Sequence, residues 1–242
     1  MTHIIMYNEA VLRRLPLLSS LGATQFKGLL PSLRRRSVAA RTCILHAGDI
    51  PDSLYIIVSG RVRLRHEDEA GRSLIAESFG PNEFFGEMGI MEPAPCPASI
   101  EAAENCELVC IPRERLVECL AQSSVAAMSM FRVALKRLTR AHCQMANLAL
   151  TTVYTRVAQV LLENGQELNG AWHVTVRTEE IAEMVGASRE MVSRVLRCMI
   201  EKRVVKREKR KLIVLDRDAF SAQPSRHDSR GFIGSAPPEY RA

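Results

Sequence analysis

The sequence predicts an α+β fold, and three observations carry that expectation. Short β-branched stretches punctuated by glycine fill the region from Arg41 to Pro112. An apolar seam with heptad spacing runs from Val125 to Ala149. A helix-turn-helix pattern over residues 178–202 is followed by two basic strand-like runs. Many short strands with turns between them form a small barrel or roll, and a change from period two to period 3.6 marks the passage to helices.

The elements follow in chain order. Residues 7–22, "YNEAVLRRLPLLSSLG", are expected as a short helix, a proline break and a turn. "LYIIVSG" is a β-branched and aromatic strand ending at Gly60. "RVRLR" alternates, so Val62 and Leu64 point one way and Arg61, Arg63 and Arg65 the other. "HEDEAGRS" is a polar turn, "SLIAESF" the returning strand, and "CELVCIP" closes the set with Cys106, Leu108 and Cys110 on one face.

From about Arg113 the pattern is helical. Val125, Met128, Phe131, Leu135, Leu138, His142, Met145 and Ala149 fall at steps of three and four. A seam of this kind suits a partner helix, with His142 as a tolerated polar spot or register device. A second face of smaller residues, Ala127, Ala134, Ala141 and Leu148, is expected to rest on the roll. A further helix runs through Leu162, and "ENGQELNG" reads as a turn-rich boundary.

The clearest chemistry lies in "TEEIAEMVGASREMVSRVLRCMIEK". Thr178 is expected to cap a first helix, with Glu179 and Glu180 in its first turn. Gly186 permits a tight break, and Ser188 caps a second helix. On that helix Val192, Val195, Leu196 and Met199 share one side, while Arg189, Glu190, Ser193, Arg194 and Arg197 share the other. Arginine takes guanine O6 and N7 bidentately, and glutamate accepts from cytosine N4. Residues 188–211 hold ten Lys/Arg against three Asp/Glu, more than a plain solvated face requires. "VVKRE" and "KLIVLD" then form a wing whose turn, with Lys209 and Arg210, is placed for phosphates.

Charge agrees with this division. Residues 1–120 carry 13 Lys/Arg against 15 Asp/Glu, and the rest carries 20 against 12, so the back half is the part suited to a polyanion. Seven scattered cysteines suit free thiols. No apolar run is long enough for a bilayer and the N-terminus lacks a signal pattern, so a cytoplasmic protein without membrane contact is expected. Expected domains are 1–120 for the roll, 121–150 for the long helix, 151–220 for the winged helix-turn-helix and 221–242 for a disordered tail.

Over residues 10–218 the chain resembles the Crp/Fnr family of bacterial transcription regulators. The resemblance rests on "AGDIPDSLYIIVSGRVRL", "FFGEMGIME", "NLALTTVYTRVAQVLL" and "VGASREMVSRVL", in the family's order. It implies a cyclic-nucleotide-binding-like β-roll (a jelly roll), a long dimerisation helix and a C-terminal winged helix-turn-helix. It implies a homodimer on palindromic double-stranded DNA, with RNA polymerase as a partner. Arg189, Glu190 and Arg194 match the base-reading positions of the cyclic-AMP receptor type, and Ser193 matches the fumarate-nitrate regulator type. Together they imply a half-site like TGTGA. The wing turn "REKRK" departs from the family in lacking a glycine.

The family's effector pocket is altered. Gly86, Glu87, Met88 and Gly89 keep the start of the cassette, and Glu87 matches the ribose-binding carboxylate. Cys96 and Pro97 stand where the resemblance places the phosphate-binding arginine and serine. Ala141 and His142 stand where it places the purine-contacting pair. A thiol cannot supply a charged fork, and proline lacks both a hydroxyl and an N–H. Cyclic AMP is therefore not expected as a ligand, and neither a cofactor nor a metal is expected. Three readings of the roll stay open: an unliganded scaffold, a site for another small molecule such as a cyclic dinucleotide or metabolite, and a redox sensor through Cys96. A small buried residue is the plainer reading of Cys96. No nucleophile–base set, metal-ligand cluster or phosphate-cradling loop supports an enzyme. A module acting only on a protein partner would have no need of the Arg189/Glu190/Arg194 face.

Overall fold

The structure, a computed structural model, describes residues 9–168, 170–209, 211–217 and 220. The chain divides into two compact units, Met1–Ala146 and Asn147–Ala242. Arg210 and the tail over 221–242 lie outside the described residues.

The first unit begins with α1 (Glu9–Leu12), α2 (Pro16–Ser19) and α3 (Ala23–Leu29), then a 3-10 turn over Leu30–Ser32. Pro16 opens α2, where a missing N–H costs nothing. Leu12, Leu15, Leu17, Leu18, Phe26 and Leu29 are buried in one cluster with Leu54, Ile56, Val109 and Ile111.

Two four-stranded antiparallel sheets form the roll. The strands are β1 (Arg34–Val38), β2 (Cys43–Leu45), β3 (Ser53–Ser59), β4 (Val62–Glu67), β5 (Ser73–Phe79), β6 (Phe84–Phe85), β7 (Ser99–Ala102) and β8 (Cys106–Pro112). Their orders are β1-β8-β3-β6 and β2-β7-β4-β5. Strand β3 shows why "LYIIV" lacks alternation. Leu54 and Ile56 face the helical cluster, while Tyr55 and Ile57 face a second cluster drawn from both sheets. A strand buried on both faces reads as a continuous apolar run. Strand β8 is two-faced in the same way, and Cys106, Leu108 and Cys110 share the roll-interior face as expected. On β4, Val62 is buried and Leu64 packs against the interior, with a bulge between Leu64 and Arg65.

Helix α4 (Glu87–Met91) follows β6, and α5 (Arg113–Gln122) follows β8. The long helix α6 (Ser124–Leu150) is entered through Ser123, whose Oγ accepts the Ala126 N–H at 3.2 Å. The stripe that meets the roll differs from the expected one. Ala126 and Met130 are buried and Val133 packs against the same cluster, whereas Ala127, Ala134, Ala141 and Leu148 are exposed. The strict seven-residue row of small side chains lies one position round from the face that packs. Here side-chain size misled, because steps of four and three (126, 130, 133, 137) define the buried face.

The second unit holds α7 (Val153–Glu163), β9 (Gly165–Leu168), β10 (Ala171–Val174), α8 (Thr178–Val185), α9 (Arg189–Glu201), β11 (Val205–Glu208) and β12 (Lys211–Val214). Its sheet order is β11-β12-β10-β9. The stretch expected as a turn-rich boundary is thus the β9–β10 hairpin. Its strand Gly165–Leu168 carries no β-branched residue and is largely exposed, so it gives no strand signal. Trp172 on β10 donates from Nε1 to the Leu161 carbonyl at 3.0 Å, and the Arg217 guanidinium lies 4.4 Å from its ring centre. Among the described residues no helix is long and apolar enough to cross a membrane.

Candidate nucleic-acid interface and effector pocket

The helix-turn-helix is built by two local devices. Gly186 ends α8 in the left-handed region, with φ 61 and ψ 47, which costs a residue without Cβ little. Ser188 then caps α9, its hydroxyl accepting the Met191 N–H at 3.2 Å. The start of α8 differs by one residue from expectation. Arg177, not Thr178, is the capping position, because Glu180 accepts the Arg177 N–H at 3.3 Å and closes the turn there. Arg156 secures the element from α7: its Nε donates to the Val185 carbonyl at 2.9 Å and its Nη1 to the Thr151 carbonyl at 2.8 Å.

Helix α9 divides as its sequence predicts. Val192, Val195, Leu196 and Met199 are buried in the second unit's core. Arg189, Glu190, Ser193, Arg194 and Arg197 are exposed and line one shallow concavity. The Glu190 carboxyl is held below the usual carboxylate range, first by its own backbone N–H and then by the Ser188 hydroxyl, with Arg189 and Arg194 adding to the effect. The carboxylate is therefore an acceptor at neutral pH. In the wing, Lys209 adopts φ 51, so a lysine holds the left-handed conformation that glycine usually supplies.

The cassette residues are positioned by close packing. Gly86 has φ 88, and a Cβ there would stand 2.8 Å from the Ser53 carbonyl oxygen. A Cβ on Gly89 would stand 2.4 Å from Pro51. Met88 is exposed, Cys96 is buried and Pro97 is exposed. The Cys96 backbone bonds to the loop before β3: its N–H donates to Asp49 at 2.7 Å and its carbonyl accepts from Gly48 at 2.9 Å. The thiol is pushed up by burial, then by the carboxylates of Asp49 and Glu87. Ala141 and His142, also expected at this pocket, are exposed on α6.

Sequence reasoning missed Arg137. This α6 residue is 14% exposed, and its Nη1 lies 2.5 Å from Glu87 Oε1. It also donates to the Phe84 carbonyl, and its guanidinium lies 4.6 Å from the Phe79 ring centre. Arg140 adds contacts of 3.6 Å to Glu77 and 3.7 Å to Glu83. Burial raises the Glu77 carboxyl, an effect that Arg137 and Arg140 oppose. Arg137 continues the row of Ala126, Met130 and Val133 that packs on the roll, but its carboxylate partner lies fifty residues away and is visible only in the fold. Among the described residues no cluster of three or more His, Cys, Asp or Glu is placed to hold a metal.

The seam residues Met128, Phe131, Leu135, Leu138 and Met145 are 46–58% exposed in the single chain. His142 lies exposed among them.

Known proteins agree with this architecture. Residues 35–123 match the cyclic nucleotide-binding domain family, and residues 155–222 match the Crp-like helix-turn-helix domain family. A CRP-like cAMP-activated global transcriptional regulator of Mycobacterium tuberculosis is 31% identical over 214 residues, covering 81% of this chain and 94% of that protein. The cyclic AMP receptor protein of Thermus thermophilus is 31% identical over 193 residues, covering 76% of this chain and 89% of that protein. The solved structure of a c-di-GMP-responsive global regulator of Xanthomonas campestris superposes with a TM-score of 0.70 at 27% identity, covering 81% of this chain and 100% of that one. A two-domain match in this order, on relatives aligned over nearly their full length, places the chain in the Crp/Fnr family of DNA-binding transcription regulators.

Proposed function

We propose that this regulator acts as a homodimer on a palindromic operator and is not controlled by cyclic AMP. The observation that carries the DNA-reading role is the gathering of Arg189, Glu190, Ser193, Arg194 and Arg197 on one exposed face of α9. These side chains read base edges in the major groove, while Ser188, Lys209 and Arg210 serve the backbone. The half-site is TGTGA or a close relative. The exposed row on α6 supports dimerisation, since an apolar stripe of that extent is covered in a stable protein. A two-fold dimer sets the half-sites about 34 Å apart. RNA polymerase is the further partner that transcriptional control requires, and the cytoplasm is the compartment in which a bacterial regulator meets both.

Independence from cyclic AMP is supported by the charge around Cys96. A phosphate there would meet a neutral thiol whose charged neighbours are the carboxylates of Asp49 and Glu87. Glu87 is itself engaged by Arg137. The carboxylate beside the thiol disfavours an anion, and the ion pair with Arg137 engages the acid expected to hold a ribose hydroxyl. A redox role for Cys96 is disfavoured, because a buried thiol with a raised pKa is a poor nucleophile. The c-di-GMP response of the Xanthomonas relative makes a cyclic dinucleotide the second reading.

Fluorescence anisotropy of the reduced full-length protein on a TGTGA palindrome tests both. Nanomolar binding that needs no ligand and is lost on a scrambled duplex is expected. Binding that appears only with cyclic AMP would overturn the ligand reading, and binding only with c-di-GMP would establish the second one.

A further inference from the structure

The base-reading face carries a carboxylate that belongs to another helix. Glu179 stands in the first turn of α8, and its Oε1 lies 3.0 Å from Nε of Arg189, the first residue of α9. The side chains are 48% and 65% exposed, so the pair sits on the surface rather than in the core. The neighbouring acid is turned elsewhere, since Glu180 pairs with Arg177 at 3.2 Å. A guanidinium is a planar fork with donors along three edges. With the Nε side held by a carboxylate, the edge between Nη1 and Nη2 is the one left for guanine O6 and N7.

We propose that Glu179 is a positioning residue that sets specificity, holding Arg189 end-on toward a guanine and keeping phosphates away from that spot. The assignment rests on the DNA-reading role of α9 argued above. It has two effects of opposite sign. The carboxylate weakens contact with any duplex, whatever its sequence, because it faces a polyanion. The same carboxylate fixes the rotamer of Arg189, so less freedom is lost when the arginine docks on its base. Removing the charge therefore strengthens indiscriminate binding and weakens discrimination at one base pair of each half-site.

The test uses the full-length protein and its variants Glu179→Gln, Glu179→Asp and Arg189→Ala. Selection from a random duplex pool with the wild type gives its preferred half-site. Anisotropy titrations then compare that site, each single-base-pair variant and a scrambled duplex. In Glu179→Gln, affinity for the scrambled duplex rises about two- to fivefold at low salt, and the gain shrinks as salt screens the charge. Discrimination falls at the one base pair whose preference Arg189→Ala abolishes, and holds at the others. Glu179→Asp recovers part of it, and the thermal midpoint stays that of the wild type. Unchanged discrimination at every position would make Glu179 an ordinary surface charge and overturn the proposal. A loss spread over all positions would make it a structural support of α8 and α9, and would overturn it equally. A wild type with no base preference anywhere would instead remove the DNA-reading role of α9, and this assignment with it.

Discussion

Arg194 lies mid-way along the exposed face of α9, with no role in the core beneath it. A bidentate base contact is worth about 1–3 kcal/mol, so Arg194→Ala lowers operator affinity roughly 5- to 150-fold. Sedimentation equilibrium of that variant matches the wild type, because α6 is untouched. Cys110 makes a different prediction, about stability. Burial pushes its thiol from 9.0 up to about 11. In the unfolded chain the thiol loses its proton near 9.0, while the folded chain keeps it to about 11. The stabilisation is thus complete below the lower value and is lost as pH rises through the window, on the order of 2–3 kcal/mol. Urea unfolding with reductant at about pH 8 and about pH 10.5 measures the fall, and Cys110→Ala makes it shallower. At this scale much was legible. Ser188 as a cap, Gly186 as a tight break and Cys106 and Cys110 as interior residues each follow from one local rule. Arg137 was not legible in the same way. Its importance comes from a carboxylate fifty residues away, and only the fold brings the two together.

Among the elements, α6 carries two faces with different tasks. The row of Ala126, Met130, Val133 and Arg137 serves the roll, and the row of Met128, Phe131, Leu135 and Leu138 is open to solvent. Leu135→Glu places a charge in the second row and leaves the first alone. The variant is expected to sediment as a monomer at concentrations where a dimer is expected of the wild type, and its operator affinity is expected to fall at least about tenfold, since a monomer would hold only one half-site. The open row was readable because long apolar side chains at steps of three and four announce themselves. The roll-facing row does not follow the spacing of small residues, because it combines an alanine, a methionine, a valine and an arginine, a mixture that no periodicity of size reveals. The β9 strand escaped for a related reason: a polar strand paired on one side has no composition of its own, and is defined by β10 beside it. The wing turn formed without a glycine because Lys209 accepts the left-handed conformation, so the missing glycine was not a missing turn.

For the molecule as a whole, the division into a near-neutral front and a basic back was visible in the charges alone, and the contact pattern splits the chain at Ala146 and Asn147. The order of roll, long helix and winged helix was also visible, because each part has its own period and punctuation. The sheet orders were not, since pairing between distant strands leaves no trace in one sequence. The chain has a single tryptophan, Trp172, and it belongs to the second unit. Its indole N–H is tied to Leu161, and its ring is covered by Arg217, so its surroundings change as soon as that unit opens. Light absorbed by the indole therefore reports on the DNA-binding unit alone, while circular dichroism follows the helices and strands of both units. If the units melt separately, the two signals part company along one temperature ramp, and the chain carries its own optical label for telling which half yields first.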